Sequence, residues 1–406
     1  MQNANTIKNV PKIYVVTAHG RQEVPARADE RLMDILKRNG IPWSGISMYA
    51  KPLSGATASA PKTGLDWKLI DFKDTQEILL YFNRNINPFL FSLDNAKIVE
   101  GDGSDPLSTE YIYQAIDNAS STCHSYLKKL TPVECREVIA ERIGDMIRAN
   151  VPSGSKIVVG VSGGGDSNAM LHGLGQLKDH DISVHPIIVK GIPDWDAGVP
   201  RAQQLCENYG LPLDIIEEPD ARSLLGITSK APLIDCFEAV FKGDDFEFLG
   251  TLLIRLALMR RAKELGTEYI CTGVNLEDSL CENLFRTANG LAPAAYPVRV
   301  IGSHKLLFPL WLCPKRIIDG CFPKYSLENY EARYPCFSIG RNLYYSVVFG
   351  LQSQFPGFPE HLVRGFSERS TAAPVNYVYD EELGFHVERF VPFALRNKFK
   401  QMLGRA

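Results

Sequence analysis

Six consecutive residues, Ser162, Gly163, Gly164, Gly165, Asp166 and Ser167, hold the parts of an anion-binding turn. Successive glycines let the backbone bend sharply and bring bare N–H groups against a ligand. The two serines add hydroxyls, and Asp166 adds a carboxylate suited to a cation. A second group of polar residues follows Thr272 and Gly273: Asn275, Glu277 and Asp278, with Glu282 one helical turn beyond Asp278. Carboxylates tolerate an anionic nucleotide nearby when Mg²⁺ lies between them. Taken alone, each stretch also reads blandly, as a bend made by glycines and as an acidic first turn favoured by a helix dipole.

The flanking elements favour the chemical reading. Ile157 to Val161 is apolar or glycine, too short for a helix and rich in β-branched residues, which predicts a strand buried on both faces. A helix is expected from Asn168 to Leu174, so its positive end points at the glycine turn. Further strands are expected at 184–189, 213–216 and 269–271, with helices at 201–209 and 249–266. Another helix runs from the Asn275 region to Asn289 and Gly290. This alternation predicts an α/β fold with a doubly wound parallel sheet. Ligands of such sheets bind at the carboxyl ends of the strands, so Val189 and Lys190 are candidate neighbours of an adenine. The alternative for Lys190 is a solvated surface lysine.

The hexapeptide resembles the pyrophosphate-binding loop of the PP-loop ATP pyrophosphatases. It is not a Walker A loop, since no Gly-Lys-Ser/Thr follows the glycines, and the glycine spacing is not that of a dinucleotide fingerprint. The stretch from Leu265 and Gly266 through Cys271 to Asn283 resembles the second motif block of the tRNA-modifying branch. That branch includes the tRNA 2-thiocytidine synthetases and tRNA-isoleucine lysidine synthetase. Phe308 to Leu310 with Lys315 to Ile318 resembles a later block. Tyr334 to Cys336, Arg341 and Phe355 to Gly357 are similar to the thiocytidine enzymes. The resemblance covers about residues 150–357. It implies ATP as cofactor, cleaved to AMP and pyrophosphate, with Ser162 to Ser167, Val189, Gly273 and Asn275 as nucleotide contacts. Asp166 and Asp278 become the catalytic and Mg²⁺-binding candidates. Adenylation of a carbonyl or carboxylate oxygen follows, with tRNA as a possible substrate, an unidentified sulfur donor or amine as nucleophile, and a homodimer among the possible assemblies. The alternative is an amide or thioamide ligase acting on a small molecule or carrier protein. Two positions depart from the pattern: Val274 stands for the usual histidine and Glu277 for the first aspartate. No Cys-Xaa-Xaa-Cys exists, which makes an iron–sulfur cluster doubtful: Cys236, Cys313, Cys321 and Cys336 read as unpaired buried thiols, the alternative being that three of them ligate a cluster in space.

The remaining sequence sets bounds. A net charge of −3 gives no global sign of nucleic-acid binding. No apolar run suits a membrane span, and the first residues lack a signal-peptide core. Nine cysteines without disulfide-like spacing predict a reduced, cytoplasmic protein. The expected organisation is a small α+β domain over 1–100, a helical linker over 101–150, the PP-loop domain over 151–300 and a mostly helical extension over 301–406. Within 1–100, strand, helix capped by Asn39 and Gly40, then strands is the order of a β-grasp domain, the alternative being an unrelated small α+β domain. Residues 109–127 have helical texture, and Thr131 to Glu134 reads as a capping box opening a helix to Asn150. Near the C-terminus Arg389, Arg396, Lys398, Lys400 and Arg405 are interleaved with Phe390, Phe393 and Phe399. That pattern suits either RNA contacts or a packed amphipathic helix.

Overall fold

A computed structural model of the chain describes residues 10–17, 20–55, 66–82, 97–98, 109–117, 122–241, 246–321, 339–354, 358–372, 374–389 and 393–405. The chain forms two compact units. The first comprises Met1–Glu137, Pro314–Lys324 and Ile339–Leu362, and the second Val138–Cys313, Tyr325–Ser338 and Val363–Ala406. Tyr334 to Cys336, Phe355 to Gly357 and Phe390 lie outside the described residues.

The first unit opens with the hairpin β1 (Lys12–Thr17) and β2 (Gly20–Val24), helix α1 (Leu32–Arg38), then β3 (Ile46–Pro52) and β4 (Thr75–Phe82). The sheet order is β2-β1-β4-β3, with the central β1–β4 pair parallel and both outer pairs antiparallel. As the periodicity predicts, α1 buries Leu32, Ile35 and Leu36. A second sheet contains β5 (Lys97–Ile98), β6 (Thr109–Asp117) and β7 (Thr122–Leu130) in the order β5-β7-β6. This corrects the expected helix at 109–127, and with it the helical linker over 101–150. Tyr111, Ile112, Tyr113 and Ile116 are strong strand formers, and β6 meets an antiparallel partner along its whole length, from Thr109 opposite Leu130 to Asp117 opposite Thr122. Partner pairing outweighs local texture there. The helix Lys315–Cys321 is fastened to β3 by buried polar bonds, from Arg316 Nη1 to the Ile46 carbonyl (2.7 Å) and from Ser47 Oγ to Asp319 Oδ2 (2.6 Å).

Helix α2 (Pro132–Asn150) starts at a capping box. The Thr131 N–H donates to Glu134 Oε2 (2.7 Å), and the Glu134 N–H donates to Thr131 Oγ1 (3.2 Å). Ile139, Ile143, Met146 and Ile147 are buried, and Val138 is partly exposed.

In the second unit, β8 (Ser155–Gly160) leads into α3 (Gly165–Gly175). Then come β9 (Ile182–Val189), α4 (Pro193–Asp196), α5 (Val199–Asn208), β10 (Asp214–Ile216), α6 (Glu218–Leu225), α7 (Leu233–Glu238) and α8 (Phe246–Leu265). They are followed by β11 (Tyr269–Cys271), α9 (Leu276–Ala288), β12 (Val298–Ile301), β13 (His304–Leu307), β14 (Tyr377–Asp380) and β15 (Phe385–Glu388). The main sheet runs β10-β9-β8-β11-β13-β12, parallel except for the edge strand β12. Ile157, Val158 and Val159 are fully buried, as a strand covered on both faces requires. Helix α8 buries Leu249, Leu253, Ala257 and Leu258 in the same core.

The edge strand β12 crosses residue 300, so the expected boundary there cuts a strand. The expected C-terminal extension begins with a hairpin that completes the main sheet, and it carries the two-stranded β14–β15 sheet besides its helices. The helix Phe393–Met402 is the packed amphipathic one. Phe399, Met402 and Leu403 are buried, Arg396 pairs with Asp380 and Glu382 (each 2.8 Å), and Lys400 pairs with Glu382 (2.6 Å). Among the described residues, no helix is long and apolar enough to cross a membrane.

Candidate functional site

The glycine turn occupies the carboxyl end of β8, at the centre of the main sheet. Gly163 has φ +73°, and a Cβ there would come within 2.5 Å of the Ala202 amide nitrogen at the start of α5. Both the backbone conformation and the close approach require glycine. Helix α3 starts at Gly165, three residues before its expected start, which puts Asp166 and Ser167 in the first turn. Its N-cap is Gly164, and no side chain caps it. The turn is braced internally: the Ser162 N–H donates to Ser167 Oγ (2.8 Å), and the two serine hydroxyls lie 3.1 Å apart. Ser167 is buried and Ser162 exposed, while Asp166 is half-buried.

The second stretch arrives from the neighbouring strand. After β11 the chain turns at Thr272 and Gly273, and a Cβ on Gly273 would lie 3.6 Å from the Asp166 Cβ. The two turns therefore meet at Asp166. Asn275 caps α9: its Oδ1 accepts from the Asp278 N–H (3.0 Å), while Asp278 Oδ2 accepts from the Asn275 N–H (3.3 Å). The predicted contact residue Asn275 is thus the helix cap, and Asp278 has one oxygen in the same box. The Leu276 N–H is taken by the Cys313 carbonyl (3.2 Å). Glu277 is buried. Val189, at the end of β9, is fully buried. Lys190 is bonded to Glu217 (2.8 Å), the interaction that raises its pKa.

Beyond Asp278, α9 carries charged side chains that sequence reasoning left unconnected. Arg299 Nη2 donates to Glu282 Oε2 (2.9 Å), as does the Tyr296 hydroxyl. The Arg299 guanidinium lies over the rings of Tyr296 and Phe308, 5.3 and 5.0 Å from their centroids. Burial alone would push the Glu282 carboxyl up, but Arg299 and Tyr296 outweigh it and hold it below its ordinary value. Four residues further, Arg286 makes a bidentate pair with Glu388 of β15 (2.6 and 3.0 Å) and donates from Nε to the Ala292 carbonyl (2.6 Å). The Tyr377 hydroxyl joins Glu388 at 3.3 Å. The only sequence signal was the spacing of Asp278, Glu282 and Arg286 along one helix face.

No protein-family model matches the chain. Its sequence is 26% identical over 246 residues to the tRNA-cytidine(32) 2-sulfurtransferase of Nitrosospira multiformis, covering 58% of this chain and 76% of that protein. That likeness agrees with the PP-loop ATP pyrophosphatase resemblance carried by the Ser162–Ser167 turn. Solved structures with a partial likeness include the U34-tRNA thiolase NcsA from Methanococcus maripaludis with its 4Fe–4S cluster. Its TM-score is 0.47 and its identity 19%, over 58% of this chain and 79% of that one. The NH3-dependent NAD synthetase from Campylobacter jejuni gives a TM-score of 0.33 and 17% identity, over 60% of this chain and 95% of that one.

Cys206, Cys271, Cys281 and Cys313 are buried, and Cys236 is partly exposed. Burial pushes the Cys206 thiol up to about 11 and the Cys271 thiol higher still, so neither is a ready thiolate. Cys321 is buried in the first unit, and Cys336 lies outside the described residues. Among the described residues, no three His, Cys, Asp or Glu side chains form a ready-made metal site.

Proposed function

We propose that the protein adenylates a pyrimidine carbonyl oxygen in tRNA at the expense of ATP, releasing pyrophosphate, and that a sulfur nucleophile then displaces AMP. The observation that carries this reading is the uncapped start of α3 behind the Ser162–Ser167 turn, met at Asp166 by the Thr272–Gly273 turn. Backbone donors at a helix N-terminus suit the pyrophosphate of ATP, and Ser162 and Ser167 add hydroxyls beside it. As the base oxygen bonds to the α-phosphorus, the bond to the β-phosphate oxygen breaks and the turn receives the departing charge. Donors already in place need no reorganisation at that moment. Asp166 and Asp278 are the carboxylates suited to Mg²⁺, which supplies charge neutralisation when bound. Two carboxylates would suffice to hold Mg²⁺, which is usually bound through one or two of them. Val189 marks the carboxyl end of β9, where the adenine would lie. Asn275 acts by holding Asp278 in place through the capping box, and Gly273 by letting the second turn approach Asp166.

The tRNA acceptor and the sulfur chemistry come from the likeness to the cytidine sulfurtransferase. The order of the first unit's sheet, β2-β1-β4-β3 with a parallel centre, supports a β-grasp reading for the N-terminal region. The amide-ligase alternative draws on the lack of a Cys-Xaa-Xaa-Cys pair. Pyrophosphate release from MgATP, measured with and without bulk tRNA, separates the two. The proposal expects stimulation by tRNA and a thiolated nucleoside in digests of the treated RNA by mass spectrometry. Release indifferent to tRNA would replace it with the ligase reading.

A further inference from the structure

Backbone pairing places Tyr296 and Arg299 at the same end of the main sheet as the glycine turn. One row of partners runs Val159, Cys271, Leu307, Val298 across β8, β11, β13 and β12. The glycine turn follows Val159, the Thr272–Gly273 turn follows Cys271, Phe308 follows Leu307, and Tyr296 shortly precedes Val298. Glu282 reaches this row from α9, one helical turn after Asp278 and on the same face.

The Glu282 carboxylate is fixed on one side and open on the other. Oε2 receives both the Tyr296 hydroxyl and Arg299 Nη2, whereas Oε1 has no partner among the described residues. About a third of the side chain is exposed, against 13% for Arg299. Arg299 itself lies over two rings, its Nε–H is buried without a partner among the described residues, and its Nη2 donates to Glu282. An ionised oxygen held this way is a preorganised acceptor beside the reaction end of the sheet.

We infer that Glu282 Oε1 selects and orients the acceptor by accepting a hydrogen bond from an N–H on the edge of a single-stranded pyrimidine, an inference that rests on the tRNA reading above. Carboxylates accept from the cytosine amino group, and unpaired RNA bases present such edges. Glu282 is a specificity residue, while Tyr296 and Arg299 are positioning residues that act through it. The ionised state suits acceptance of a hydrogen bond rather than proton abstraction.

The test compares the parent with Glu282→Gln, Glu282→Ala and the milder Tyr296→Phe. It uses bulk tRNA as probe, and reads tRNA-dependent pyrophosphate release, the KM for each substrate and the melting temperature. Glu282→Ala is expected to lower kcat/KM for tRNA roughly 10- to 100-fold, the worth of one well-placed base contact. Glu282→Gln falls between it and the parent, because the amide keeps an oxygen but also presents N–H groups. Tyr296→Phe loses roughly threefold to tenfold, as a weakened brace should. The KM for ATP stays at the parent value in all three. A Glu282→Ala protein with unchanged kcat/KM for tRNA would overturn the inference. So would parallel losses for ATP and tRNA in the stably folded Tyr296→Phe protein, which would make the cluster a structural brace only. The parent itself reads the proposed function: without stimulation by tRNA, that reading and this inference fall together, whereas a responsive parent with indifferent variants removes the inference alone.

Discussion

Helices α3 and α9 begin side by side at the same end of one sheet, and they treat their leading N–H groups in opposite ways. At α3 the cap is Gly164, with no side chain to satisfy the turn, and the loop before it is glycine and serine. At α9 the Asn275 side chain and Asp278 close the capping box, and the Cys313 carbonyl takes the Leu276 N–H. The start of α3 therefore suits an anion better than that of α9, since a capped helix has fewer donors to offer. Helix α9 instead carries charged side chains along one face, Asp278 in the capping box, Glu282 bonded to Arg299 and Arg286 to Glu388. One helix start offers backbone donors, the other carries charged side chains.

That contrast can be broken most forcefully at Gly163. Gly163→Ala forces an L residue into φ +73° with its Cβ 2.5 Å from the Ala202 nitrogen. It should abolish most pyrophosphate release, by about 100-fold or more, and cost about 2 kcal/mol in urea denaturation. Asp166→Asn keeps the shape but removes the charge. A loss of roughly 100-fold in turnover with an unchanged melting temperature is expected, the usual scale for removing one preorganised electrostatic group. On the charged side, Arg286→Met leaves Glu388 without its bidentate partner. The arginine is 8% exposed and the carboxylate 29%. The cost should be about 2 kcal/mol in urea denaturation, below that of a fully buried pair because Glu388 keeps some water. Asn275→Ala removes only a cap, at about 1 kcal/mol, and a calorimetric scan would record it.

The smallest effect concerns pH and belongs to the charged region alone. His304 and His386 both have pKa values pulled below the ordinary 6.5, first by burial, then by His386 beside His304 and by Arg255 beside His386. The folded state then favours neutral imidazoles, and the unfolded chain binds more protons in that window. Their contribution is intact above about 6.5 and is lost as pH falls toward the folded values. The melting temperature should drop between pH 7.5 and 5.5, and His386→Asn should flatten that drop. A slope unaffected by the substitution would remove His386 from the account.

The sequence made the α3 side legible because everything there is local. A short apolar strand, three glycines and a helix follow one another without interruption, and the turn forms from neighbours in the chain. Asn275 and Asp278 were legible for the same reason, although as a capping pair they serve the helix as much as a ligand. The start of α3 was read three residues late, since Gly165 is a poor helix former and enters the first turn only because Gly164 precedes it as cap. The charged side was not legible, because Arg286 and Glu388 lie 102 residues apart and meet only once β15 folds back. Arg299 reaches Glu282 from an edge strand that was not expected at all. The misread β6 and β7 carry the same lesson, as their register exists only in the pair.

The most direct test of the central claim is the identity of the nucleotide product. ATP labelled at the α-phosphate, incubated with the protein, Mg²⁺ and bulk tRNA and then resolved by chromatography, should yield AMP in an amount that grows with tRNA. An Asp166→Ala protein should form almost none. Label accumulating as ADP, or AMP formation that ignores tRNA, would contradict the account.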